Sequence, residues 1–290
     1  MRNKNFHISG TDEVRLEIDA ALPFNPKCYL VVWPCSMCSC RIYRLPVERF
    51  ASSGIGVLQF NPRGHGNSGG SFSYEKSFAD LEEICRDLFM PDVPVVCLGH
   101  SGGTGALLKA GEAISAERYW LVSPVLDSRE SIIYMYENSS INEFIDIIAN
   151  FAVEKEAVKK IIEKPDWLDP GLWADRKLKT CLDNLSGIIG IGSLLEAFFI
   201  PGYNSFDEFR KASDKLEIIY PLKDSWYPEK TVMHLADLHD VPVVRDLGGK
   251  DHYFTGAWQN IWNYIEKRLD SLYSPAGIGF KHGNLGFNLR

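Results

Sequence analysis

Gly99-His100-Ser101-Gly102-Gly103, entered from the apolar run Pro94–Leu98, carries the strongest chemical signal in the chain. Small residues two before and two after a serine let a chain turn sharply from strand to helix. Such a turn lifts the Ser101 hydroxyl above a sheet edge and leaves the Gly102 N–H at a helix N-terminus. The flanks fit this reading, with Val93–Leu98 as a strand and Thr104–Ala110 as a helix-forming segment. A serine hydroxyl is a weak nucleophile at neutral pH. Acyl chemistry therefore needs a histidine to take its proton and a carboxylate to hold that imidazole in the useful tautomer. Two downstream segments offer these groups, Asp224-Ser225-Trp226-Tyr227-Pro228 and Gly249-Lys250-Asp251-His252.

Elements that can position such groups alternate along the chain. Phe6–Ser9 and Val14–Ala20 read as an opening hairpin around Gly10-Thr11-Asp12. Cys28–Trp33 is a continuous apolar run, as expected of a strand buried on both faces. A helix over Arg41–Ser53 leads to a strand at Gly56–Phe60, a helix at Asp80–Leu88 and a strand at Tyr119–Val122. From Asp127 to Ala212 the alternation stops and helical sequence takes over, including Ile141–Phe151, Val153–Glu163 and Ser193–Phe199. Leu216–Tyr220, Glu229–Leu238, Val241–Leu247 and Trp258–Leu272 then resume strand, helix, strand and closing helix. The expectation is an α/β fold with a mostly parallel sheet, a core over residues 1–127 and 212–273, a helical insertion over 128–211 and a tail over 274–290.

Bulk properties exclude several function classes. A net charge of −7 without any basic stripe argues against a nucleic-acid surface. The most apolar later stretch, Gly187–Gly202, is short, Gly-broken and interrupted by Glu196, which makes it a poor membrane span. No apolar stretch follows the basic N-terminal residues, so no signal peptide is expected. Seven cysteines, an odd number partly in core segments, fit free thiols in a reducing cytoplasm.

The order of motifs resembles the α/β-hydrolase superfamily with a helical cap. Four segments carry the resemblance: Val31-Val32-Trp33-Pro34-Cys35-Ser36, Asn61-Pro62-Arg63-Gly64-His65-Gly66-Asn67-Ser68-Gly69-Gly70, the Ser101 turn, and the Asp224 and His252 pair. Asn61 stands where the family usually has Asp. The resemblance implies Ser101 as nucleophile, Asp224 as orienting acid and His252 as general base, in this fold's chain order. His252 is the one histidine that follows the last core strand on a short loop. His7, His65, His100, His234, His239 and His282 fall in a hairpin, in motifs, on a helix and its end, and in the tail. Asp127 is the alternative acid, and Asp251 reads as a loop charge. Of the two oxyanion donors such chemistry needs, Gly102 N–H is one. The other is expected from the loop after Trp33, where Pro34 has no N–H. Cys35 is the first candidate and Ser36 the second.

The implied activity is hydrolysis of a carboxylic ester, thioester or related acyl bond, with acyl transfer or a non-catalytic binding role as alternatives. The expected substrate is a small, partly apolar acyl compound. Phe144, Ile147, Ile148, Phe151, Leu194, Leu195, Phe198 and Phe199 are its candidate pocket residues, although most amphipathic residues of this kind bury against one another. No cofactor and no metal are expected. Gly64–Gly69 matches a dinucleotide fingerprint in form, but no helix opens at once and no acid ends the next strand. Cys35-x-x-Cys38 has a zinc-ligand spacing without a second pair facing it.

Overall fold

Strands β3 (Cys28–Trp33), β4 (Ile55–Phe60) and β5 (Val95–His100) are buried at every position, because helices cover both faces of the sheet they share. Alternate residues serve opposite faces. Tyr29, Val31 and Trp33 pack into one hydrophobic layer, and Cys28, Leu30 and Val32 into the other. The computed structural model describes residues 2–10, 12–187, 189–196 and 204–273. With β1 (Arg2–Ser9), β2 (Arg15–Leu22), β6 (Ala116–Val122), β7 (Leu216–Ile219) and β8 (Val243–Val244) the sheet runs β1-β2-β4-β3-β5-β6-β7-β8. The pairings of β2 with β1 and β4 are antiparallel, and all others are parallel.

The helices follow in chain order: α1 (Val47–Ser52), α2 (Tyr74–Leu88), α3 (Gly102–Gly111), α4 (Ser128–Glu137), α5 (Ile141–Ala149), α6 (Lys155–Ile162), α7 (Gly171–Ala174), α8 (Lys177–Asn184), α9 (Ile191–Glu196), α10 (Phe206–Lys211), α11 (Glu229–Leu238) and α12 (Trp258–Tyr273). Leu81 and Ile84 of α2, Leu107 of α3 and Val232 of α11 join the first layer. Phe50 of α1 and Ile261, Trp262 and Ile265 of α12 fill the second. Helices α4 to α10 lie between β6 and β7, where the sheet alternation pauses in the sequence.

Three expected elements differ. The helix over Arg41–Ser53 is a 3₁₀ turn at Cys40–Tyr43 followed by α1. Pro46 lacks an N–H and restricts Leu45, and Arg44 takes a left-handed conformation at φ 44°. The last strand is paired only over Val243–Val244, since Pro242 has no N–H to donate and its carbonyl accepts from Ile218. Helix α2 starts six residues earlier than expected, at Tyr74, because Ser73 Oγ accepts the Lys76 N–H and caps it. Thr11, Phe198, Phe199, His282 and the tail 274–290 lie outside the described residues.

Candidate active site

β5 ends at His100 and α3 begins at Gly102, so Ser101 alone makes the turn, at φ 55° and ψ −129°. That conformation is costly for a residue with a side chain. It is held by Ser101 N–H donating to Val122 O at 3.0 Å and by Ser101 O accepting from Thr104 N–H at 3.0 Å. Glycine is required on both sides. A β-carbon at Gly99 would lie 2.8 Å from Thr104 Cα, and one at Gly103 would collide with Pro34 O.

Parallel strands deliver their following loops to one sheet edge, which brings distant residues to Ser101. Asp224, 5% exposed, lies on the loop after β7, and His252, 1% exposed, on the loop after β8. His252 Nδ1–H donates to Asp224 Oδ2 at 2.9 Å and lies 3.0 Å from Oδ1. This leaves Nε2 bare to accept the Ser101 Oγ–H at 2.8 Å. Asp224 Oδ1 also accepts from Trp226 N–H at 2.8 Å and Tyr227 N–H at 3.2 Å. A hydroxyl in this chain of bonds can pass its proton to imidazole as its oxygen attacks a carbonyl carbon. Asp127 instead caps α4, accepting the Glu130 N–H at 2.9 Å. Asp251 braces its own loop by accepting the N–H groups of Tyr253 and Thr255 at 3.1 and 3.0 Å.

The Cys35 expectation needs correcting. Its N–H donates to Tyr43 Oη at 2.7 Å and is not free for an oxyanion. Ser36 N–H makes no hydrogen bond to another described residue, and Ser36 lines the cavity beside Ser101 and Gly102. Gly102 N–H, in the first turn of α3, has no preceding turn to bond. Tyr43 Oη–H continues the chain to His100 Nδ1 at 3.0 Å, and His100 Nε2–H donates to His252 O at 2.9 Å. One run of bonds thus ties the loop after β3 to the serine turn and the histidine loop. His65 pins the same β3 loop, its Nδ1–H donating to Arg63 O at 3.0 Å and its Nε2 accepting from Met37 N–H at 2.8 Å.

Tyr43, His65 and His100 escape the sequence reading because hydrogen-bond partners 8, 28, 57 or 152 residues apart leave no local pattern. Nearness to motif residues was their only signal. Asn61 has a legible reason once the fold is seen. Its Nδ2–H donates to the buried Glu17 carboxylate at 2.7 Å, where an aspartate would set two carboxylates together.

Burial pushes the His100 pKa down to about 3 and that of His65 down to about 4. Both are neutral in the fold at pH 7, so His100, 5.6 Å from the His252 ring, adds no charge beside it. In the unfolded chain each titrates near about 6.5, so below that pH the unfolded state binds more protons. Their contribution to stability is complete above that value and is lost as pH falls toward 4. Unfolding free energy is expected to drop by about 2 kcal/mol for each of the two histidines between pH 7 and 5. Urea titrations at the two pH values, with His65→Gln reducing the difference, check this; an identical difference in the variant contradicts it.

Residues 25–167 match the sequence pattern of the serine aminopeptidase S33 family. No curated protein matches the chain. Among solved structures, an esterase of Pyrococcus furiosus superposes with a TM-score of 0.61 at 15% identity, covering 94% of this chain and 91% of its own. The proline iminopeptidase-related protein of Thermus thermophilus gives 0.60 at 16% identity, with 95% and 100% covered. An esterase of Exiguobacterium antarcticum gives 0.59 at 14% identity, with 93% and 99% covered. These superpositions show that the chain has the α/β-hydrolase fold.

In this fold the helical insertion meets the serine. Ser101 and Gly102 open on a cavity of about 40 Å³, walled by Ile132 and Met135 of α4, Phe144 of α5 and Leu194 of α9. Of the expected pocket residues, Phe144 and Leu194 reach it. Ile148 and Leu195 are buried in the core, and Ile147 and Phe151 pack half-buried against it. Trp226, which sequence reasoning also missed, stacks on the His252 ring at 5.3 Å and 12°. Helices α4 and α5 hold the Asp224 loop: Ser131 Oγ–H donates to Trp226 O at 2.7 Å, and Trp226 Nε1–H donates to Glu143 at 3.1 Å. Gly64–Gly69 forms a turn closed by Gly64 N–H donating to Gly69 O at 3.1 Å. No helix among the described residues is long and apolar enough to cross a membrane.

Proposed function

We propose that this chain is a serine hydrolase that cleaves a carboxylic ester, thioester or related acyl bond of a small, partly apolar substrate. The observation that carries this reading is the bonded line from Ser101 Oγ through His252 to Asp224, at 2.8 and 2.9 Å, on the loop edge of the sheet. Ser101 attacks the acyl carbon while His252 Nε2 takes its proton. Asp224 stabilises the imidazolium, and the N–H groups of Gly102 and Ser36 receive the negative charge on the carbonyl oxygen. His252 returns the proton to the leaving group. Water, deprotonated by His252 in turn, releases the acid and restores Ser101. No step calls for a metal or cofactor. Residues 128–211 act as the cap that shapes the substrate space, and the free thiols of the chain suit a cytoplasmic setting.

Intact-mass analysis after fluorophosphonate treatment tests the reading. One adduct mapping to Ser101, with turnover of simple esters, is the expected result. No adduct and no turnover sinks the hydrolase reading and favours a binding protein. An adduct with acyl products formed only when an alcohol or amine acceptor is added favours acyl transfer instead.

A further inference from the structure

A histidine ring is poorly fixed by its own bonds. The torsion that swings it is broad and roughly two-fold, so its neighbours decide where the far nitrogen points. The Asp224 carboxylate holds His252 at Nδ1, yet a bond at one ring atom does not fix the tilt of the ring. Nε2 is the atom that must face Ser101 Oγ. Trp226 meets the ring on its face. The indole lies nearly parallel to the imidazole, at 12° with centroids 5.3 Å apart, the arrangement of an offset stack. Tyr253 meets the same imidazole edge-on at 5.3 Å and 88°.

Trp226 is in turn held by the helical insertion. Ser131 of α4 donates its Oγ–H to Trp226 O at 2.7 Å, and the indole Nε1–H donates to Glu143 Oε2 of α5 at 3.1 Å. Phe144 of α5 meets the indole edge-on at 6.1 Å and 73°. Both flanking residues are tied the same way. Ser140, at the start of α5, donates its Oγ–H to Ser225 O at 2.7 Å, and Tyr227 Oη–H donates to Glu130 Oε2 of α4 at 2.5 Å. Trp226 N–H also donates to Asp224 Oδ1 at 2.8 Å. One residue therefore touches the acid through its backbone, the imidazole through its ring, and the insertion through its carbonyl and indole N–H. Glu143 is not among the residues that line the cavity at Ser101.

We propose that Trp226 is a positioning residue for the His252 imidazole and that Glu143 acts through it, so the insertion sets the rate of acyl chemistry as well as the substrate space. This rests on the Ser101 hydrolase reading. Proton transfer from Ser101 Oγ needs Nε2 in line, and a misplacement of about 1 Å costs about 100-fold in rate. The effect falls on kcat and on serine attack, not on affinity for the substrate.

The test uses the full chain as wild type, Glu143→Ala, Glu143→Gln, Trp226→Phe and Trp226→Leu. Each is assayed for kcat and KM on phenyl acetate and for its rate of labelling by a small fluorophosphonate. Glu143→Ala is expected to lower kcat and labelling rate together by about three- to tenfold, the range of one hydrogen bond. Its KM should stay within about twofold of wild type, and its thermal midpoint within about 2 °C. Glu143→Gln keeps an acceptor for the indole N–H and should restore both rates to within about twofold. Trp226→Leu loses the stacked face and should lose about 10- to 100-fold in both rates, with Trp226→Phe in between. Every variant keeps the backbone bond to Asp224, so the losses report side chains. Rates within about twofold of wild type in Glu143→Ala overturn the proposal. A rise in KM at unchanged kcat, or equal losses in Glu143→Ala and Glu143→Gln, does the same. In each of these cases the wild-type adduct keeps the hydrolase reading, whereas absence of adduct and turnover in wild type removes both. The Glu143 pair decides the matter even where Trp226→Leu does not fold.

Discussion

Replacing Ser101 by alanine is expected to lower kcat for ester hydrolysis by about 10⁴- to 10⁶-fold and to abolish the fluorophosphonate adduct. On the proposed reading the loss is large because the three side chains act as one unit. Without Oγ, His252 and Asp224 have no nucleophile to activate, and only the oxyanion donors and substrate binding remain. The fold should not suffer. Ser101 Oγ bonds to His252 Nε2, while the backbone bonds to Val122 and Thr104 that hold the turn do not involve the side chain. The expected signature is therefore lost turnover with an unchanged thermal midpoint. Activity within tenfold of wild type would place the nucleophile elsewhere. A drop in midpoint comparable to a core deletion would show that the hydroxyl is structural.

The second large effect concerns stability. Asp80→Ala is expected to destabilise the protein by about 3–5 kcal/mol. Asp80 is fully buried, and Arg63, 2% exposed, reaches it by a fork: Nε donates to Oδ2 at 2.6 Å and Nη2 to Oδ1 at 2.8 Å. Arg63 Nη1 also donates to Asp12 at 2.6 Å. Removing Asp80 leaves a buried guanidinium short of its main counterion, and a domain has only about 5–15 kcal/mol in hand. A fall in thermal midpoint of about 10 °C follows. The double variant Arg63→Met with Asp80→Leu removes both charges and should recover much of the loss, since a pair replaced by apolar groups costs far less than a pair broken. A midpoint within about 2 °C of wild type in Asp80→Ala would rule out this account. The consequence reaches the site, because the Arg63 carbonyl accepts from His65, which in turn holds Met37 on the loop beside Ser101.

Much of the sheet was legible because of a simple physical asymmetry. Parallel strands covered on both faces are mostly apolar, so β3 stands out as an uninterrupted run and β4 and β5 nearly so, broken at Gln59 and at His100. The turn at Ser101 was legible for a related reason. Close backbone approach at Gly99 and Gly103 excludes a β-carbon and writes itself directly into residue type. Helix ends and short edge strands were less visible. The break at Pro46 and the two-residue β8 depend on which N–H groups find partners across the sheet, and this is a tertiary matter.

By themselves the residues offered side chains suited to acyl chemistry and their chain order: a serine between glycines, then an acid, then a histidine on a loop after the last strand. Tertiary structure decided the rest. That Cys35 N–H is taken by Tyr43 follows from a hydroxyl eight residues away whose position depends on the packing around it. That Asp127 caps a helix while Asp224 meets the imidazole follows from where β6 and β7 end at the sheet edge. The small space at Ser101 arises where loops from separate strands meet the helical insertion. Residue type specifies what a group can do; which partner it meets is set by chain packing over distances that no local pattern encodes.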